Sequence, residues 1–399
     1  MAHHNDVPFF RGKMYTLLIV LIYLAFISLG LPDSLLGSAW PVMHQDIEVS
    51  VSFMGILSMI VSGGTIISSL MSDRITKKLG TNKVTTISVF LTAIALMGFS
   101  CAKNIWWLIA FAIPYGLGAG SIDAALNNYV AIHYSSKHMS WLHCFWGVGT
   151  IISPFVMSYS LTNYNWSNGY RIISIIQFII GFILLLTLKI WNVNALTDEK
   201  EAVQHESIGF VSALKIKGVP SLLLGFFAYC AAECTAMAWS CTYLVNAKGI
   251  DEATAAAFAS MFFIGMTVGR FIGGFFMDKL GDKRMIVLGS SIIGIGIILM
   301  LIPTANSLFS IIGLIVIGLG CAPIYPCIIH ATPNNFGADK SGAIIGIQMA
   351  SAYCGATFIP PVFGLIAEFI GFEFFPIYML AFFILMFIMV IRTFKLTNG

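Results

Sequence analysis

Apolar runs of about 20 residues, the length at which a helix crosses a hydrocarbon core, recur along almost the whole chain. They predict twelve spans, at 14–42, 52–72, 84–102, 105–132, 139–161, 170–191, 219–245, 253–277, 285–303, 307–331, 341–367 and 373–391. The first run continues without a small-residue cleavage pattern into a proline-kinked segment, so it reads as a retained span. The one long polar stretch, 192–218, carries Asp198, Glu199, Lys200, Glu201, Glu206, Lys215 and Lys217, and separates six spans from six. The expected fold class is therefore an all-α membrane protein with twelve transmembrane helices in two six-helix bundles. Its parts are an N-terminal bundle (1–191), a cytoplasmic linker (192–218) and a C-terminal bundle (219–399).

Composition agrees with the pattern. A chain of 399 residues that is 58% hydrophobic and only 10% charged, with a mean hydropathy of +0.89, is excluded from ordinary soluble proteins. Lysines and arginines, among them Arg11, Lys13, Arg74, Lys77, Lys83, Lys137, Lys283, Arg284 and Lys395, crowd the side shared by both termini. Opposite them fall Lys103, Arg171 and Lys248. Such a bias predicts that both termini are cytoplasmic. It also accounts for the net charge of +3 without a nucleic-acid partner. The expected partners are the lipid bilayer and a small-molecule substrate, with the protein acting as a monomer in a cell membrane. Seven of eight cysteines fall well inside spans and Cys101 ends one, which argues against a disulfide framework. Cys321, Cys327 and His330 could suggest a soft metal site, but thiols in apolar runs read as packing, and no cofactor or metal is expected.

The halves repeat. Gly64-TIISSLMS-Asp73-Arg74 lies over Gly269-RFIGGFFM-Asp278-Lys279 at a spacing of about 205 residues, and Gly116-LGAGSI-Asp123 lies over Gly318-LGCAPI-Tyr325 at 202. Duplication of a six-span unit is the mark of a carrier built from two related bundles. Here the chain resembles the major facilitator superfamily, whose loop after the second span carries a G-x-x-x-D-R/K-x-G-x-R/K motif. The first copy has Asp73 and Arg74 but delays its glycine to Gly80 and its later cation to Lys83. The second, Asp278-Lys279-Leu280-Gly281-Asp282-Lys283-Arg284, is closer. The resemblance implies that Asp73, Arg74, Asp278 and Lys279 are gating residues that latch the cytoplasmic helix ends.

Four acids or polar clusters inside spans carry the candidate chemistry. Asp123 stands in an apolar run, where a charge costs about 2.5–3.5 kcal/mol and normally faces a cavity or a partner. Desolvation favours the neutral form of a carboxyl, so an acid alternately wetted and occluded can carry a proton. Asn127, four residues on, shares its helical face, and acid plus amide suits hydroxyl groups. Asp33 follows Pro32, which loosens the first helix, and Gly30, Asp33, Gly37 and Trp40 share a face. His143, Trp146 and Thr150 also share one, where a flat ring can stack on a sugar while imidazole donates or relays a proton. Glu233 is an alternative proton site, near Trp239. Gln348, Tyr353, Asn128 and Tyr325 complete the set of candidate substrate-binding residues, Tyr325 being the counterpart of Asp123. Arg270, eight residues before Asp278, could neutralise a buried acid, but snorkelling towards the cytoplasm is the expected account.

The runs G-x-G-x-x-D-x-x-x-N (118–127) and W-L-H-x-F-x-G-x-G (141–149) resemble the fucose permease-like branch, which imports monosaccharides with protons or, in animal relatives, sodium. Asp33 and Asp123 match that branch's acids in the first and fourth spans. The branch often has Glu and an N-P-Y run in the fourth span. This chain departs from that pattern, with Asp123 and Asn127-Asn128-Tyr129. The expected function is proton-coupled uptake of a small polyhydroxylated solute, a monosaccharide, by alternating access; sodium is the other possible coupling ion. The alternatives are proton-driven export of drug-like compounds, disfavoured because Pro154 is not followed by the usual glycines, and a non-transporting sensor. An enzyme is not expected: no H-E-x-x-H is present, and Ser121 lacks a following glycine.

Overall fold

The computed structural model describes residues 6–50, 53–191, 209–250, 252–303 and 306–397. Its elements are helical: α1 (Asp6–Gly30), α2 (Leu35–Asp46), α3 (Phe53–Leu79), α4 (Thr81–Ser100), α5 (Ile105–His133), α6 (Ser136–Asn163), α7 (Trp166–Leu186), α8 (Phe210–Leu214), α9 (Val219–Lys248), α10 (Glu252–Leu280), α11 (Asp282–Leu301), α12 (Leu308–Cys321), α13 (Ile324–Phe336), α14 (Ala338–Ile370) and α15 (Phe375–Thr397). Twelve helical segments among the described residues are long and apolar enough to cross a membrane, matching the twelve runs in the sequence. Most of the linker, 192–208, lies outside the described residues; its end holds the short α8.

Two spans are interrupted where proline removes a backbone donor. The first breaks into α1 and α2 across a turn at residues 31–34, as expected from Pro32, and Asp33 occupies that turn. The tenth breaks between α12 and α13 at Ala322 and Pro323, a break that the hydropathy pattern did not reveal.

The chain forms two compact units. One comprises Met1–Leu126 and Phe145–Ser207; the other comprises Asn127–Cys144 and Ile208–Gly399. In the first, α4 packs on α7. In the second, α9 packs on α14 and α15, while α12 packs on α10 and α11. The hairpin made by the end of α5 and the start of α6 thus belongs with the second unit, and the units do not divide at the linker alone.

The repeat read in the sequence is visible in the packing. Gly116 lies against the backbone of Val61, and a methyl there would overlap the Val61 carbonyl; its counterpart Gly318 stands in the same relation to the carbonyl of Phe262. Small residues let helix backbones approach where lipid offers no hydrophobic driving force. Likewise Gly80 and Gly281 have φ of 86° and 77° with ψ near extended values, a conformation open essentially to glycine alone. Each closes one helix, its N–H bonded to Thr76 or Met277 at 2.8 Å, and opens the next through its carbonyl. The delayed Gly80 is therefore the geometric equivalent of Gly281, although the spacing of its motif is irregular.

Gly318→Ala is expected to lower the thermal midpoint of the detergent-solubilised protein, because overpacking costs about 1–3 kcal/mol. Gly294→Ala, where nothing lies within 4 Å of the added methyl, should leave the midpoint unchanged or raise it. Equal shifts would show that the Gly318 contact is not close.

Candidate functional site

In the first unit the glycine contacts place the acids. Gly30 lies against the Trp146 carbonyl and Gly149 against that of Ile27, so α1 and α6 touch along backbone. That approach brings Asp33, in the turn after α1, to the Trp146 indole. The indole Nε1–H donates to Asp33 Oδ2 at 2.8 Å, and the Tyr115 hydroxyl donates to Oδ1 at 3.3 Å. Asp33 itself is exposed, whereas Asp123 on α5 is buried, with 4% of its surface accessible. The two carboxyls are within electrostatic reach of each other. Nearby, Gln177 on α7 accepts from the Ser28 hydroxyl and donates to the Ser28 carbonyl, both at 2.5 Å, which ties α7 to α1 beneath the break.

The second unit holds a different arrangement. Asn127, fully buried, faces His143 with Oδ1 3.1 Å from Nε2. The His143 ring meets Tyr325 edge-on at 4.7 Å between centroids, and Tyr325 packs on Phe226 and Tyr229. The Tyr325 hydroxyl is 3.5 Å from Met349 Sδ, which also lies 3.9 Å from the Asn127 amide. Gln348, one residue before Met349, accepts from Thr332 at 3.0 Å; its amide nitrogen is buried with no hydrogen-bond partner. The expected His143, Asn127 and Tyr325 are thus brought together.

Glu233 is buried too, but its surroundings are ionic. Its Oε1 accepts from the Tyr229 hydroxyl at 2.9 Å and from the Arg270 guanidinium at 3.2 Å. Arg270 is 3% exposed, which corrects the snorkelling expectation: a carboxylate 37 residues earlier in the chain holds the guanidinium inside the helix bundle. A charge this deep is tolerated when it is paired; the other reading of Arg270, neutralisation of a buried acid, is the one the structure shows, with Glu233 as the acid.

The remaining candidates are scattered. Trp239 donates its indole N–H to the Pro360 carbonyl at 2.8 Å and packs on Phe363 and Phe372, so its polar edge is taken. Asn128 accepts from Ser341 at 2.6 Å and joins α5 to α14. Tyr353 is half-buried on α14. Trp146 is engaged with Asp33, although His143 precedes it by only three residues. Of the gating residues, Asp73 pairs with Lys77 of its own helix at 3.1 Å, and Arg74 is exposed. Asp278 accepts from the Ser135 hydroxyl at 2.9 Å and the Lys137 N–H at 3.0 Å, at the start of α6, while Lys279 is exposed. The sequence reading passed over Tyr115, Gln177, Tyr229 and Thr332. Gln177, a lone amide in an apolar run, carried a readable signal; the others look like ordinary membrane-helix residues.

The sequence model of the Major Facilitator Superfamily matches residues 22–231 and 221–398. Bypass of stop codon protein 6 of Saccharomyces cerevisiae is 22% identical, over 94% of this chain and 81% of that protein. The glucose/mannose transporter GlcP of Bacillus subtilis is also 22% identical, over 76% and 77%. Among solved structures, the E. coli fucose:proton symporter FucP superposes with a TM-score of 0.73 at 17% identity, covering 95% of this chain and 99% of that one; at that identity the likeness speaks for the fold. The family match runs through both halves, and the repeated glycine contacts recur in both, so the chain belongs to the Major Facilitator Superfamily and is a multi-pass membrane transporter rather than an enzyme.

Proposed function

We propose that the protein is a proton-coupled importer of a small polyhydroxylated solute, a monosaccharide, working by alternating access in a cell membrane with both termini cytoplasmic. The observation that carries this reading is the pair of carboxyls in the first unit. Asp33 is exposed and Asp123 buried, and their charges act on each other. Among the described residues, the groups that bond Asp33 are neutral: an indole N–H and a phenol. Two like charges repel, and one shared proton removes the repulsion. Asp33 is suited to exchange that proton with water and Asp123 to hold it.

Substrate recognition is assigned to the neutral groups of the second unit, Asn127, His143, Tyr325 and Gln348. Amide, imidazole and aromatic groups without a net charge suit hydroxyls and the apolar face of a pyranose. The unsatisfied Gln348 amide nitrogen is a donor that a solute hydroxyl would satisfy. The sugar transport named for the glucose/mannose and fucose relatives supports this solute class. Glu233 is the weaker choice of proton carrier, because Arg270 already neutralises it. No cofactor is assigned; the proton is the coupling ion, and sodium would need several converging oxygens. The protein is taken to act as a monomer.

In proteoliposomes, an inward proton gradient should drive accumulation of a monosaccharide, identified beforehand from a panel of sugars and organic cations by thermal stabilisation. Asp123→Asn should abolish accumulation while leaving downhill exchange. Undiminished accumulation by the variant would remove Asp123 from coupling, and stabilisation by cations alone would favour export of organic compounds. Arg270→Gln should destabilise the protein by about 3–5 kcal/mol, since it strands a buried carboxylate, and the added change Glu233→Gln should restore much of that loss. If Arg270→Gln unfolds at the parental temperature, the pair does not carry the stability assigned to it.

A further inference from the structure

Where α5 gives way to α6, the hairpin is fastened to the rest of the second unit through His330 on α13. The ring's Nδ1 lies 2.7 Å from Asp282 Oδ2, and its Nε2 lies 3.1 Å from the Tyr134 carbonyl. Ser136 Oγ is 2.9 Å from Nδ1 and donates its proton to the other oxygen of Asp282, at 2.6 Å. A hydroxyl has one proton to give, and a carbonyl has none. With the Ser136 proton committed to Asp282, both ring nitrogens of His330 face acceptors. A neutral imidazole carries a single N–H and can satisfy only one of them.

We propose that His330 is a proton-gated clasp. As imidazolium it donates to Asp282 and to Tyr134 together and holds the hairpin against α11 and α13; on losing a proton it keeps one bond and turns a lone pair towards the other acceptor. The groups facing it are Asp282 from α11, Asp278 from the end of α10, and Ser136 and the Tyr134 carbonyl from the hairpin; Cys327, on its own helix, lies against Asp282. Of the hairpin's cations, Lys137 is turned away, its ammonium 4.3 Å over the Trp141 ring. The acceptor against Nδ1 is a carboxylate and the one against Nε2 a carbonyl. The clasp adds a titratable element to the bonds that Asp278 makes to the same turn. Its consequence for transport rests on the proposed orientation: a rise in cytoplasmic pH would free the hairpin, and acid would retain it. The clasp itself is independent of substrate and coupling ion.

The test uses the full-length protein in lipid nanodiscs, with histidine labelled by nitrogen-15. The His330 signals are identified by their loss in His330→Gln and their displacement in Asp282→Asn. At pH 6 both ring nitrogens of His330 should be protonated, and hydrogen exchange of backbone amides in 134–140, corrected for intrinsic rate, should quicken at least tenfold between pH 6 and pH 8. In Asp282→Asn the exchange should be fast at both values, and in His330→Gln it should not depend on pH. A single protonated nitrogen at pH 6, or a pH dependence that persists in His330→Gln, would overturn the proposal. Neither readout involves transport, so a failed clasp and a failed transport assignment are distinguishable.

Discussion

Inside hydrocarbon, a polar or charged group must be answered by the protein itself, because no water is there to do it. That constraint organises the interior of this chain. Several buried polar side chains draw a partner from another helix: Ser28 from Gln177, Asn127 from His143, Glu233 from Arg270. Such pairs form only if helices approach closely. The glycines at Gly30, Gly149, Gly116 and Gly318 give that approach, since each lies where a methyl would strike a neighbouring carbonyl. Backbone contact and polar satisfaction are two parts of one arrangement.

The duplicated halves answer the same constraint in opposite ways. In the second unit an acid is neutralised by a permanent cation, Arg270, and bonded by a tyrosine. In the first, Asp33 is bonded by an indole and a phenol and lies within electrostatic reach of a second acid. Neutral donors can stabilise a carboxylate, but they supply no positive charge. In the proposed function a mobile proton balances these two acids, and coupling is assigned to the first unit. In the proposed function the second unit, where Arg270 pairs with Glu233, offers its neutral groups to a neutral solute.

Much of this was legible in the amino-acid order. Apolar run length gave the twelve spans, Pro32 marked the break beside Asp33, and the cost of an intramembrane charge singled out Asp123 and Glu233. Relations between one helix and another were not legible there. Arg270 read as a snorkelling cation because its partner, Glu233, lies on another helix and no local periodicity links them. His143 and Trp146 share a face of α6, yet their bonds go separate ways, one to Asn127 and the other to Asp33. His330 read only as the third member, with Cys321 and Cys327, of a disfavoured metal site; in the structure acceptors face both sides of its ring.

The central claim is that solute entry carries a proton through the acids of the first unit. It is tested most directly by adding the transported monosaccharide to weakly buffered, de-energised proteoliposomes and recording external pH. The account predicts an immediate alkalinisation of the medium, proportional to sugar entry at about one proton per sugar and abolished by a protonophore. Sugar entry with no change in external pH would contradict it.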